Sequence, residues 1–170
     1  MPFSGINPYL RSRTGRPVGT ARLQDGPLVS SLARVSYEVD DDPARVDIDT
    51  LWEFLAQHAY WGRWRSRSDV EKQVAGAWRT VGCYEATTGA MVGFARAVSD
   101  GVAVAYLADL FVLPEHRGQG LGKRLVEFMV EGGPGKDFRW LLHTSDAHGL
   151  YERFGFALPD GTLLDRPAHR

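Results

Sequence analysis

Three stretches of the chain carry residue types at spacings that could do chemistry. In Val112-Leu113-Pro114-Glu115-His116-Arg117-Gly118-Gln119-Gly120-Leu121-Gly122, glycines alternate at 118, 120 and 122 where a strand-like run gives way to a helical one. Each glycine costs a helix about 1 kcal/mol against alanine, so three at one helix entrance call for a reason. Without side chains, the backbone N–H groups of the first turn can approach an anion closely, helped by the positive end of the helix dipole. A phosphate or pyrophosphate is the obvious guest. Neither common nucleotide pattern fits. A Walker loop fails because Arg117 stands five before Gly122 and Lys123 is followed by Arg124, and a G-x-G-x-x-G fingerprint fails because Lys123 fills its last position. A glycine-softened helix start with no ligand is the competing reading.

The second stretch centres on Asp109, the only charged side chain between Val102 and Leu113. A carboxylate in a central strand costs several kcal/mol unless it is paired, hydrated or turned toward a cleft. Strand alternation puts it on the face of Leu107, Phe111 and Leu113. Two readings stand: a buried ion pair with Arg96 on the neighbouring strand, or a cleft carboxylate that binds or deprotonates an amine. If desolvated, it titrates above its reference value of about 3.9. The third stretch is Asp146-Ala147-His148-Gly149-Leu150-Tyr151-Glu152-Arg153-Phe154-Gly155-Phe156. Tyr151 lies just past a strand end, near polar Ser145, Asp146 and His148, and its spacing alone makes it no more than a packing residue. Ser145, Asp146 and His148 are the right types for a triad, but no G-x-S-x-G elbow exists. The five histidines show no metal-ligand spacing, so no metal is expected. Cys83 reads as a small buried hydrophobe.

The elements that must position these residues are readable from pattern. Ala33 to Val39 suggests a first strand, ended by Asp40-Asp41-Asp42-Pro43. Thr50-x-x-Glu53 and Ser68-x-x-Glu71 read as capping boxes of two helices, with Tyr60-Trp61-Gly62-Arg63-Trp64 as an aromatic loop between them. Strand-like runs at about 79–85, 90–98 and 102–113 are separated by Thr87-Thr88-Gly89 and Asp100-Gly101, which predicts an antiparallel meander. Residues 102–113 are apolar on both faces, as a central strand requires. A helix from Leu121 stops at Gly132-Gly133-Pro134-Gly135; a strand over 138–144, a short helix over 147–154 and a last strand from Gly155 follow. The order is β-α-α-β-β-β-α-β-α-β. This is an α+β fold around one mixed central sheet flanked by helices.

Composition sets outer bounds. The 170 residues are 44% hydrophobic and 24% charged, which suits one compact domain and excludes a disordered or fibrous chain. Twenty Lys+Arg against 21 Asp+Glu leave a net charge of −1, so no global field selects a nucleic acid or a membrane. No run approaches 18 apolar residues, and the arginines at 11, 13, 16 and 22 flank no apolar signal core. With the lone Cys83, these features point to a cytoplasmic protein. Residues 1–32, rich in arginine, proline and glycine, read as an N-terminal arm, either a solvated extension or a docking segment for RNA or a partner.

Together these stretches resemble the GNAT superfamily of acetyl-CoA-dependent N-acetyltransferases. The family's R/Q-x-x-G-x-G/A segment appears as Arg117-Gly118-Gln119-Gly120-Leu121-Gly122, preceded by Val112-x-Pro114. Its later Y-x-x-x-G-F motif appears as Tyr151-Glu152-Arg153-Phe154-Gly155-Phe156. The element order from about 33 to 157 is similar too, so the resemblance marks 33–170 as a single GNAT-like acetyltransferase domain. It implies that the backbone of Arg117, Gly118, Gln119, Gly120, Leu121 and Gly122 holds the CoA pyrophosphate. Phe111, Val112 and Leu113 would lie along the pantetheine arm. Tyr151 would be the general acid for the departing thiolate. Asp109 would be a base or a substrate anchor, although Ala108-Asp109 stands where polyamine acetyltransferases carry Glu-Asp. Many members have an asparagine shortly before the tyrosine; here Asp146 or a backbone group must serve. Tyr60 and Trp61, with Trp64, would overhang the acceptor cleft, or else plug the core. The implied function is acetyl transfer from acetyl-CoA to a primary amine of a small molecule, by direct attack in a ternary complex. A non-catalytic acetyl-CoA-binding regulator and an acetylator of protein N-termini are the alternatives. Family habit favours a homodimer.

Overall fold

A computed structural model describes residues 35–59 and 62–167. The arm, Tyr60 and Trp61 lie outside the described residues. Five strands form one sheet in the order β1-β2-β3-β4-β5: β1 (Tyr37–Asp40), β2 (Arg79–Glu85), β3 (Met91–Ser99), β4 (Val104–Val112) and β5 (Arg139–Leu141). The first four are antiparallel neighbours and β5 runs parallel to β4. The Asp100-Gly101 turn forms as its residues require. The Asp100 carboxylate accepts from the N–H groups of Val102, Ala103 and Val104, and Gly101 takes a left-handed φ of 76°.

Helices cover both faces of the sheet. On one side α1 (Ile48–Gln57) and α2 (Arg67–Ala75) bury Leu51, Phe54, Leu55 and Val70 against Tyr84, Phe94 and Phe111. On the other, α3 (Leu121–Val126) runs on as a π-helical turn, Glu127–Glu131, and packs Leu125, Val126 and Met129 against Val81, Cys83, Val92 and Leu107. The Arg79 side chain donates to the carbonyls of Phe128 and Met129 at 3.0 and 2.9 Å, supplying partners to the widened turn. A short helix, α4 (His148–Tyr151), closes the described elements with a single 3-10 turn behind it.

Several boundaries differ from the sequence reading. The helix caps sit earlier: Asp47 accepts from the N–H groups of Asp49 and Thr50, and Ser66 forms the capping box with Asp69. Thr50 does not cap; its hydroxyl donates to Asp47 at 2.8 Å. The pattern S/T-x-x-E recurs inside a first turn because acids are favoured there, so the match was one turn late. The strand expected over 138–144 ends at Leu141, and the expected last strand from Gly155 is not formed among the described residues.

The largest difference concerns Asp109. Across β3 and β4, Phe94 pairs with Phe111 but Arg96 pairs with Ala108, so one extra residue is accommodated in β4. Asp109 sits in this bulge at φ 51°, the only positive φ outside glycine among the described residues. The bulge reverses the alternation. Leu107 joins the core under α3, Phe111 joins the core under α1, and Asp109 does not share the Leu107 face as strand periodicity predicted.

Candidate active site

β4 and β5 pair only at Val104–Arg139, Ala105–Trp140 and Tyr106–Leu141. Beyond that point no strand lies beside the outer edge of β4, whose backbone groups there lack a ladder partner among the described residues. A cleft of about 570 Å³ opens in the split, lined by Leu107 to Leu110 on one side and Leu142 to Ala147 on the other, with Tyr151, Trp64, Arg65 and Arg96 around it. The split places Asp109 and Tyr151 around one cavity although 42 positions separate them in the chain (151 minus 109).

The chain leaves the far end of β4 through Pro114–His116 and enters α3 at Gly120. Gly118 and Gly120 both take left-handed φ angles, 77° and 75°, and nothing lies within 4 Å of where a Cβ would stand on either. Their need for glycine is conformational, since an L-residue there costs roughly 1–2 kcal/mol, and the space above them is open. Arg117, Gly118, Gln119 and Gly120 are exposed, whereas the Leu121 side chain is buried and only its backbone can face a ligand. Phe111 is similarly committed, stacked on Phe54 with centroids 4.0 Å apart. The loop is braced by groups that sequence reading missed. Arg117 donates to the Val112 carbonyl at 3.0 Å; Gln119 donates to the Tyr37 hydroxyl at 2.9 Å, which also meets His116 Nδ1 at 2.9 Å; and Arg124 donates to the Tyr37 carbonyl at 2.9 Å. Strand β1 thus fixes the glycine loop from across the sheet, a link no local pattern announces.

Asp109 is both paired and in the cleft. It accepts from Arg65 through both terminal nitrogens at 2.9 Å, and from Arg96 Nε at 2.6 Å. Arg65, from the loop between α1 and α2, also donates to Gln73 at 2.8 Å. The sequence offered Arg96 as a partner but gave no sign of Arg65, which sits among aromatics in a loop without periodicity. Burial by itself would raise the Asp109 pKa. The hydrogen bonds from Arg65 and the charge of Arg96 outweigh it and hold the carboxyl below the ordinary aspartate value. This overturns the expectation of an elevated value; two guanidiniums more than offset desolvation. Tyr151 shows the opposite balance. It is 9% exposed, and burial, aided by the charge of Asp146, pushes its hydroxyl up to about 12. It stays protonated at any working pH, so it can donate a proton or hydrogen bond and cannot act as a base. The cleft wall also carries a Tyr106–His143 hydrogen bond of 2.9 Å.

Known proteins share this fold. Residues 77–158, from just before β2 to just past the Tyr151 turn, match the acetyltransferase (GNAT) domain family. A crystal structure from Xanthomonas campestris pv. campestris, described as belonging to the GNAT family, is 34% identical with a TM-score of 0.72, over 78% of this chain and 94% of that one. The Gibberella zeae protein FG08082, named as a candidate acetyltransferase, is 33% identical over 105 residues, 61% of this chain and 57% of its own length. The chain therefore spans little more than half of that curated relative. A GNAT family acetyltransferase from Brucella melitensis, solved in complex with acetyl-CoA, shares the fold at 18% identity and a TM-score of 0.57, over 73% of this chain and 84% of that one. The chain belongs to the GNAT acetyltransferase family. Among the described residues no helix is long and apolar enough to cross a membrane.

Proposed function

We propose that the protein transfers an acetyl group from acetyl-CoA to the amine of a small molecule. The observation that carries this reading is the open β4 edge past Tyr106, with the protonated Tyr151 hydroxyl lining the cleft beside it and the exposed left-handed glycines 118 and 120 in the loop that follows the strand. The residues present fit the donor. The Cβ-free faces of Gly118 and Gly120 leave room for a pyrophosphate beside the first N–H groups of α3. The outer edge of β4 past Tyr106, which has no neighbouring strand among the described residues, can hydrogen-bond pantetheine amides up to Val112, whose own carbonyl is held by Arg117. Acetyl-CoA supplies an activated thioester when bound.

What the chain must do is position a neutral amine against the thioester carbonyl. The nitrogen–carbon bond would form as the carbon–sulfur bond breaks, the amine would shed its proton toward the rim, and the sulfur would leave as a thiolate that accepts a hydrogen bond from the Tyr151 hydroxyl. Asp109, held ionised by two arginines, is a weak base. We assign it a positioning role, fixing Arg65 and Arg96 along the cleft. Deprotonation of the acceptor falls to the exposed rim, where Asp146 and His143 stand.

Acetyl-CoA should raise the melting temperature of the protein, while ATP and NAD leave it unchanged. Thiol release with an amine panel then separates an enzyme from a protein that only binds the donor. In Gly120→Glu, the new carboxylate faces the pyrophosphate and the left-handed backbone is strained. Acetyl-CoA affinity should fall tenfold or more, about 1.4 kcal/mol. Gly161→Glu is the matched control. Gly161 is exposed, outside the glycine loop, with nothing within 4 Å of where its Cβ would stand, so folding and binding should be kept. Unchanged affinity in a folded Gly120→Glu would remove the glycine loop from the donor site.

A further inference from the structure

The acceptor side of the cleft carries a charge pattern that holding the acetyl donor does not require. On the wall formed by β3, β4 and the loop before α2, Arg65 and Arg96 flank Asp109, and all three are between 5% and 9% exposed. Each guanidinium brings five N–H donors and no acceptor, against about four acceptor sites on one carboxylate. Asp109 takes three of those donors. Gln73 takes another from Arg65, and the Arg65 Nε is sealed from solvent with no acceptor at all. Arg96 uses only its Nε, and among the described residues its terminal nitrogens have no acceptor where the side chain lines the cleft. One positive charge is left over on a largely buried pair of guanidiniums, and Arg96 presents it to the cleft.

The opposite wall differs. Exposed Asp146 lies near enough to Tyr151 to disfavour its ionised form, and His143 bonds Tyr106. No second carboxylate on the arginine side balances the excess among the cleft-lining residues.

We infer that the acceptor is an amine that also carries an oxyanion, a carboxylate or a phosphate, which docks on Arg96 with Arg65 behind it, while its amino end lies toward Asp146 and Tyr151. A planar guanidinium with free terminal N–H groups suits a two-oxygen anion. Trp64, Tyr106 and Tyr151 offer aromatic surface for the remainder of the molecule. Naming this ligand as an acceptor rests on the proposed N-acetyltransfer; the anion site itself does not.

Calorimetry on the full chain saturated with CoA tests it, using matched probes: phenylalanine against phenethylamine, and O-phosphoethanolamine against ethanolamine. At least one anionic member should bind ten times more tightly than its partner, and the pair that does so tells carboxylate from phosphate. Equal affinities within both pairs, or no binding by any probe, overturn the inference. In Arg96→Gln the preference should disappear with the affinity for the non-anionic partner unchanged, and Arg96→Lys should restore part of it. A preference retained in folded Arg96→Gln also overturns it. If either variant folds poorly, the wild-type comparison decides alone. Binding is read without turnover, so a protein that prefers anionic amines yet releases no thiol keeps the anion site and loses the proposed reaction.

Discussion

Tyr151→Phe should lower kcat by roughly 10²–10⁴, the range for loss of a positioned acid, with little change in the KM for acetyl-CoA. The ring stays, and with it the edge contact to Phe156 at 5.8 Å and the packing under α3, so the melting temperature should hardly move. Only the hydroxyl goes. With its pKa at about 12, that hydroxyl is a weaker acid than a thiol near 8.5. Its help is therefore a hydrogen bond that strengthens while charge gathers on sulfur, and the proton stays on the tyrosine. Because it remains protonated throughout, the deficit should be constant across the neutral pH range. A variant that turns over like the wild type would leave Tyr151 a packing residue, as its spacing alone suggested.

How much of this was legible depended on whether the cause was local. The β2–β3–β4 meander was readable because Asp100-Gly101 and Thr87-Thr88-Gly89 encode their turns within a few residues. The glycine loop was readable because left-handed angles at Gly118 and Gly120 force a residue choice that leaves a mark in sequence. The bulge at Asp109 left none. An aspartate tolerates left-handed backbone better than most residues, but nothing in the apolar run from Val102 to Leu113 says where alternation slips. Arg65 and Tyr37 were hidden for the same reason: each acts on a partner far along the chain, Arg65 on Asp109 and Tyr37 on Gln119 and Arg124. The extent of β5 was misjudged because its strand-like residues past Leu141 continue the pattern after the pairing with β4 has ended, and that parting is what opens the cleft.

Asp109→Asn should destabilise the protein by about 3–5 kcal/mol at neutral pH, the usual cost of stripping one partner from a buried ion pair. For a chain of this length that lowers the melting temperature by roughly 6–20 °C. Asparagine accepts the left-handed φ of the bulge, so the backbone is not the cause. What remains is two guanidiniums, Arg65 and Arg96, facing a neutral amide. Removing one of them as well, in Arg65→Gln/Asp109→Asn, should recover part of the loss. The sign with pH is set by the lowered folded pKa of Asp109. Its contribution is fully present above the unfolded value of about 3.9 and is lost as pH falls through the lower folded value. The gap between wild type and Asp109→Asn should therefore be widest at neutral pH and close below about pH 4. Activity separates positioning from base catalysis. A carboxyl held below its ordinary value is already ionised near neutrality, so any acidic limb in kcat/KM above about pH 5 belongs to another group and should persist in the variant. Equal stability of the two proteins at neutral pH, or a limb abolished by Asp109→Asn, would return Asp109 to the role of an active-site base.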